Sequence, residues 1–298
     1  MKFIYQYPDL HGSEGDMLDA GPVADIAIAA EQAGWDGFAF TEHPAPAIHW
    51  LDGGGHQSLD PLVALAHVAA VTKRMKLLTY LAVLPYRNPL SLAKSAATVD
   101  RLSNGRLILG VGTGYLKAEF FALGVDFDER NKLFDEALDV LPLHWSGQPF
   151  DYVGTHFNCR GTVGKPAAAQ QPIPIWIGGN SQLTLRRVAA RAQGWMPLLG
   201  PSYMFKTTKT AAVSSDDDIT SRLSTLKELA RERFSEIEIT IAYMDTDVHN
   251  PKGENDRHAD AFGRLGELGI HNIVVSSPND AHPAACEFAQ SFADRFIN

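Results

Sequence analysis

Residues 76–115 read KLLTYLAVLPYRNPLSLAKSAATVDRLSNGRLILGVGTGY. Two apolar runs, Lys76–Leu84 and Arg106–Val111, flank a longer amphipathic segment, Leu90–Leu102. The short runs have the composition of buried strands, and the segment between them has the length and mixed polarity of a helix. Asn104-Gly105 suits the left-handed turn that closes such a helix. Strand, helix and strand in that order form a crossover unit. Its handedness is right in nearly all proteins, so the two strands are parallel.

The same alternation extends in both directions. Upstream, Phe3–Tyr7 and Gly37–Thr41 read as strands, with Val23–Ala33 and Pro61–Thr72 as helices. Asp60 is placed to cap the second of these, with Pro61 behind it. Downstream, strands are expected at Ile173–Ile177, Trp195–Leu199, Ile237–Tyr243 and Asn272–Val275. Helices are expected at Phe127–Trp145, Gln182–Arg191, Ile219–Phe234, His258–Leu268 and Ala284–Phe296. Pro142 should kink or end its helix. Phe150–Arg160 reads as an inserted β-hairpin, and Lys206–Asp218 as a polar rim loop that could serve as a lid, with Asp216–Asp218 a charge run that forms a solvated loop and helix start. Eight strands and eight helices fit an α/β fold, a (β/α)8 TIM barrel with loop insertions, as a single domain over residues 1–298. An open doubly wound sheet is the rival, which periodicity alone does not separate.

Composition narrows the function classes. A net charge of −9 argues against nucleic acid as partner, because a duplex-binding surface is basic. No stretch approaches the ~20 apolar residues of a membrane span, and the N-terminal residues lack a signal-peptide pattern. Cys159 and Cys286 are the only cysteines, which disfavours a disulfide framework and suits a reducing cytoplasm. His49 and His56 follow His43 at spacings unlike those of zinc sites, so no metal is expected. Neither GxSxG nor GxxxxGK[ST] occurs.

In such a barrel, chemistry belongs where strands end and the following loops begin. Four stretches stand there. Gly110-Val-Gly-Thr-Gly-Tyr115 can let backbone approach a flat or anionic ligand, or can simply pack tightly. Ile175-Trp-Ile-Gly-Gly-Asn-Ser181 runs into a helix whose N-terminus could hold a phosphate, with Arg186 and Arg187 following; the plain alternative is a helix cap. Phe40-Thr-Glu-His-Pro44 offers Glu42 and His43 as proton carriers, against the reading of a solvated loop histidine. Tyr80–Pro89 has an apolar start that could lie under a ring, and an Arg87 that reads as a solvated surface charge.

Taken in order, Asp60-Pro-Leu-Val-Ala-Leu65, Leu84-Pro-Tyr-Arg-Asn-Pro89, Asp100–Tyr115, Phe120–Gly124, Ile175–Ser181 and Gly194-Trp195 resemble the luciferase-like monooxygenase family, most closely its branch that uses the deazaflavin coenzyme F420. The likeness covers residues 1–200. It implies a homodimer of luciferase-like barrels acting on a small organic molecule. It also implies a cofactor, F420 or alternatively FMN. The cofactor's phosphate would lie near Gly178, Gly179, Asn180 and Ser181, and its ring near Tyr80, Leu81, Ala82, Gly112, Thr113 and Gly114. Family members often carry a non-proline cis peptide beneath the ring, here at Tyr80–Leu81 by position. Two departures stand out: Thr113 occupies the place of a phosphate-holding arginine of luciferase, and His43-Pro44 stands where luciferase has a histidine pair.

The resemblance thus points to hydride transfer, with Glu42 or His43 handling the accompanying proton. An oxygen-using FMN monooxygenase is the alternative within the family. A barrel lyase or isomerase working without a redox cofactor, and a flavin-binding protein without turnover, are the alternatives outside it.

Overall fold

The computed structural model describes residues 1–200, 205, 208, 210–278 and 283–298. Eight parallel strands close on themselves: β1 (Lys2–Gln6), β2 (Gly37–Phe40), β3 (Lys76–Thr79), β4 (Leu107–Gly112), β5 (Ile175–Gly178), β6 (Gly194–Met196), β7 (Glu238–Ala242) and β8 (Asn272–Ser276). Each pairs with its sequence neighbours, and β1 pairs with β8, Phe3 lying opposite Ile273. The doubly wound alternative is therefore excluded. The helices that pack outside the strands, one after each, are α1 (Val23–Ala33), α2 (Pro61–Val71), α3 (Pro89–Leu102), α4 (Arg130–Trp145), α5 (Gln182–Arg191), α6 (Asp216–Ala230), α7 (Asn255–Glu267) and α8 (Ala284–Phe296).

Strand residues alternate between two apolar layers, which is why the strands read as unbroken hydrophobic runs. Ile4, Ala39, Leu78, Ile108, Trp176, Met196 and Val274 form the inner layer, one from each strand except β7. There the buried Thr240 hydroxyl accepts from Asn272 at 3.0 Å instead. The alternate residues, among them Tyr5, Phe38, Leu77 and Ile273, face the helices. Trp176 fits inside because Gly194 lies opposite it on β6; a Cβ there would come within 2.2 Å of the indole.

The local chemistry of the elements accounts for most boundaries. Asp60 caps α2 by accepting from Leu62 and Val63, and Asn88 does the same for α3 ahead of Pro89. Asn104, at φ 60°, makes the expected left-handed turn. Three expectations need correction. The run Lys76–Leu84 is not one strand: β3 stops at Thr79, a cis peptide joins Tyr80 to Leu81, and a two-residue strand Ala82–Val83 resumes pairing with β4. Pro142 neither ends nor precludes α4, because it sits in the last turn, where Trp145 donates its indole N–H to Ala93 and anchors the end. Asp216–Asp218 begin a helix as expected: they are the first turn of α6, with Asp218 completing a capping box with Ser215. The inserted hairpin pairs Phe150–Val153 with Asn158–Thr162, slightly beyond its expected end. Of the anticipated lid over Lys206–Asp218, residues 206, 207 and 209 lie outside the described residues.

Candidate active site

The C-terminal ends of β3 to β6 surround a cavity of about 310 Å³. Its floor is built from absent side chains. The Leu81 side chain leans across the strand ends, and a Cβ at Gly112 or Gly178 would meet it at 2.4 or 2.2 Å. Thr113, Gly114 and Tyr115 continue the wall after β4, and Met196, Pro197 and Leu198 close it after β6. At one end stand Arg130, Ser181, Thr184, Thr208 and Thr210.

That end differs from the expected phosphate grip. Gly178, Gly179 and Ser181 line the cavity, yet the Gly179 amide donates to Met196 and the Asn180 amide to the Thr210 hydroxyl. Asn180 is fully buried, and its side chain braces the loop after β6 by bonding Leu198 and Ala211. It is a scaffold residue, as is Ala82, which is buried against β4. Arg187 turns away from the cavity to pair with Asp135 and Asn131 over the Phe134 ring. The anion-binding groups are instead the Arg130 guanidinium, the Ser181–Thr184 hydroxyl pair, bonded to each other at 2.9 Å, and the positive end of α5, whose Thr184 N–H is already capped by Ser181.

On the β1–β2 side the mouth is walled by titratable side chains. His43 Nδ1 lies 3.1 Å from Glu119 Oε2. Glu119 comes from a short helix, Lys117–Ala122, and its side chain is 1% exposed. It also accepts from the Tyr86 hydroxyl at 3.0 Å and the Ala45 amide at 3.2 Å. Three donors converging on one carboxylate fix the His43 ring with Nδ1 toward Glu119 and leave Nε2 as its other face. Burial, reinforced by Glu119, pushes the Tyr86 hydroxyl well above its ordinary range and Tyr115 up to about 12, so both remain donors. The His43 ring contacts Tyr115 edge-on at 6.0 Å, which joins this wall to the cavity.

Behind His43 lie Trp50, with ring centroid 4.4 Å away, and His56 at 4.9 Å. Asp9 accepts from Thr41 and Gln6 and sits 3.8 Å from the His56 ring. Backbone pairing of His11 with His56 brings these two loops together. Among the described residues, no group of His, Cys, Asp or Glu is arranged to hold a metal ion.

Glu42 does not face the mouth, contrary to expectation. It is buried, accepts from the Val83 amide at 2.6 Å and pairs with Arg87, which also reaches Asp60. Its carboxylate pins the segment after the cis peptide, and Arg87 is a structural cation rather than a solvated one. Sequence reading also missed Glu119, Tyr86, Arg130 and Thr184. Arg130 carries a weak signal, a cation opening an amphipathic helix two residues before a lysine; Glu119 carries none, since nothing in Lys117–Ala122 marks it for burial.

The described residues contain no helix long and apolar enough to cross a membrane. The sequence matches the model of the luciferase-like monooxygenase family over residues 1–211. It is 33% identical over 264 residues to an uncharacterized protein of Mycobacterium tuberculosis, spanning 84% of this chain and 83% of the relative. It is 28% identical over 190 residues to an F420-dependent glucose-6-phosphate dehydrogenase of Gordonia bronchialis, spanning 62% of this chain and 54% of that protein. Its fold superposes on the crystal structure of a monooxygenase from Streptomyces bottropensis with a TM-score of 0.78, at 20% identity and over 100% and 99% of the two chains. With the closed barrel and a family match over more than two thirds of its length, the chain belongs to the luciferase-like monooxygenase family of oxidoreductases.

Proposed function

We propose that this chain binds the deazaflavin F420 across the glycine-floored cavity and uses it to move hydride to or from a small organic substrate. One observation carries the reading: a floor formed by the Leu81 side chain, admitted only because residues 112 and 178 are glycine, lines a cavity that also holds Arg130 and Tyr115, and Tyr115 meets the histidine of a histidine–carboxylate pair. The residues present fit such a group. Its planar ring needs a floor that no Cβ interrupts, and its phosphate needs Arg130, Ser181, Thr184 and the α5 N-terminus. A cavity of about 310 Å³ lies at the small end of the usual ligand-pocket range.

When bound, the deazaflavin supplies a carbon centre that gives or accepts hydride. The protein's part is orientation and proton handling. Leu81, Gly112 and Gly178 would hold the ring. His43 Nε2 takes the proton from a substrate hydroxyl or returns it to a carbonyl, while Glu119, fixed by Tyr86 and Ala45, holds the imidazole and balances its charge. Tyr115, kept protonated, donates to substrate oxygen from the junction of wall and cavity. The relative whose name declares F420 dependence supports this assignment. The alternative is an oxygen-using FMN enzyme, favoured by the fold shared with a monooxygenase.

Titration of the purified protein with F420 and with FMN, followed by absorbance and fluorescence, separates the two. The expected result is saturable F420 binding, with bleaching or recovery of its visible band when substrate alcohols or carbonyl compounds are added. Preferential FMN binding with oxygen uptake would replace F420 by FMN. Binding of neither would remove the redox reading.

A further inference from the structure

The inserted hairpin grips the helix that carries the cavity's cation. Its tip, residues 154–157, lies on the first two turns of α4. There the Glu136 carboxylate accepts from the amides of Thr155, His156 and Phe157 at 3.0 to 3.2 Å. Gly154 makes room for it, since a Cβ at that position would fall 2.1 Å from Glu136 Oε2. The His156 ring then spans the helix face, with Nδ1 2.7 Å from Glu136 Oε1 and Nε2 3.2 Å from Glu129 Oε2. Glu129 and Glu136 are seven residues apart, two turns on one face, so one imidazole ties the start of α4 to its second turn.

The start of α4 needs an external tie. Glu129 occupies the N-cap position without making a side-chain cap bond. The next residue is Arg130. Its guanidinium lies 3.9 Å from the Phe127 ring centroid and donates to the Phe127 carbonyl at 2.8 Å, which aims it into the cavity. Arg187 secures α4 further along, at Asn131 and Asp135, toward α5. The turn that bears Arg130 is thus held between α5 and the hairpin.

We propose that the hairpin is a positioning device for the cofactor's anionic end: His156, through Glu129, fixes the turn of α4 from which Arg130 reaches the phosphate. This rests on the cofactor reading above and adds residues that touch neither cofactor nor substrate. A hairpin serving only to cover α4 would change stability; a positioning hairpin changes affinity for the phosphate and leaves affinity for the ring unchanged.

The test compares dissociation constants of FMN with riboflavin, and of F420 with its dephosphorylated riboside, in wild type, Arg130→Ala, His156→Gln, Glu129→Gln and the Arg130→Ala/His156→Gln double variant. Loss of a charge-assisted contact should weaken the phosphorylated ligand about tenfold or more in Arg130→Ala, and about three- to tenfold in His156→Gln and Glu129→Gln. The phosphate-free ligands should bind within about twofold of wild type, and the double variant should be no weaker than Arg130→Ala alone. Glu129→Gln leaves the Glu136 contacts in place, so it keeps the test decisive should His156→Gln loosen the hairpin. Unchanged affinity in both hairpin variants, equal weakening of phosphorylated and phosphate-free ligands, or additive losses in the double variant would overturn the inference while leaving the cofactor reading standing. Indifference to Arg130→Ala would overturn the inference alone, whereas wild type that binds neither phosphorylated ligand would remove the cofactor reading and this inference with it.

Discussion

The two sides of the barrel mouth are made in opposite ways. On the β3–β5 side the surface exists because side chains are missing: Gly112 and Gly178 leave Leu81 exposed as a floor, and Gly114 lets the loop pass Val83 and Phe120. On the β1–β2 side it exists because side chains are crowded: Asp9, His43, His56 and Glu119 lie in one layer with Trp50, Tyr86 and Tyr115. The first is suited to hold a flat molecule without reacting with it. The second is suited to hold and move protons. A cofactor-dependent oxidoreductase needs both, and separating them lets each be altered without the other.

The sharpest way to break this division is on the crowded side. His43→Asn or Glu119→Gln should lower turnover by about 10²- to 10⁴-fold, the usual worth of general acid–base catalysis, with cofactor affinity nearly unchanged. Steady-state rates paired with a cofactor titration measure both quantities. If turnover survives both substitutions, the proton is handled elsewhere. If affinity collapses together with turnover, the two sides are one site.

The glycine side sets up a smaller effect on a different quantity. Gly178→Ala places a methyl group 2.2 Å from Leu81 Cδ2, so Leu81 must move into the cavity. Overpacking of this kind costs about 1–3 kcal/mol of stability, and the displaced Leu81 side chain should weaken cofactor binding as well. Adding Leu81→Ala relieves the clash but removes the floor. The double variant should therefore regain the melting temperature of wild type without regaining its affinity. Calorimetry and cofactor titration distinguish this from general damage, in which both would recover together.

The contrast also explains what could be read in the sequence. The glycine side is local: Gly110–Tyr115 and Ile175–Ser181 are contiguous stretches at strand ends, and the strand–helix alternation alone locates them. The same local logic places Asp60 and Asn104. The crowded side is assembled from loops after β1, β2, β3 and β4, and no spacing rule relates Asp9 to His56 or His43 to Glu119. Adjacency misled the reading at Glu42, which neighbours His43 in the chain but points the other way, to Val83 and Arg87. Expecting amides to grip an anion failed at Gly179 and Asn180 because tertiary partners, Met196 and Thr210, had already claimed them.

The smallest effect lies in pH, and it belongs to the crowded side alone. Burial lowers the His56 imidazole below its ordinary 6.5, with Asp9 pulling the other way. Burial also raises the Asp9 carboxyl above 3.8, opposed by His56, Thr41, His11 and His43. The fold therefore favours the neutral imidazole. Above pH 6.5 neither folded nor unfolded chain protonates His56, and its contribution to stability is complete. As pH falls from 6.5 toward the lowered folded value, the unfolded chain takes up a proton that the folded chain refuses, and stability declines. Asp9 has the opposite sign: its raised carboxyl contributes most at acid pH and loses that contribution as pH climbs through the folded value. His56→Gln should accordingly flatten the decline in melting temperature below pH 6.5, whereas Gly178→Ala should shift the whole curve and leave its slope alone. Melting curves at constant ionic strength from pH 5 to 8 would show this. An acid slope that His56→Gln leaves unchanged, or that Gly178→Ala alters, would mean that the two sides of the mouth are coupled.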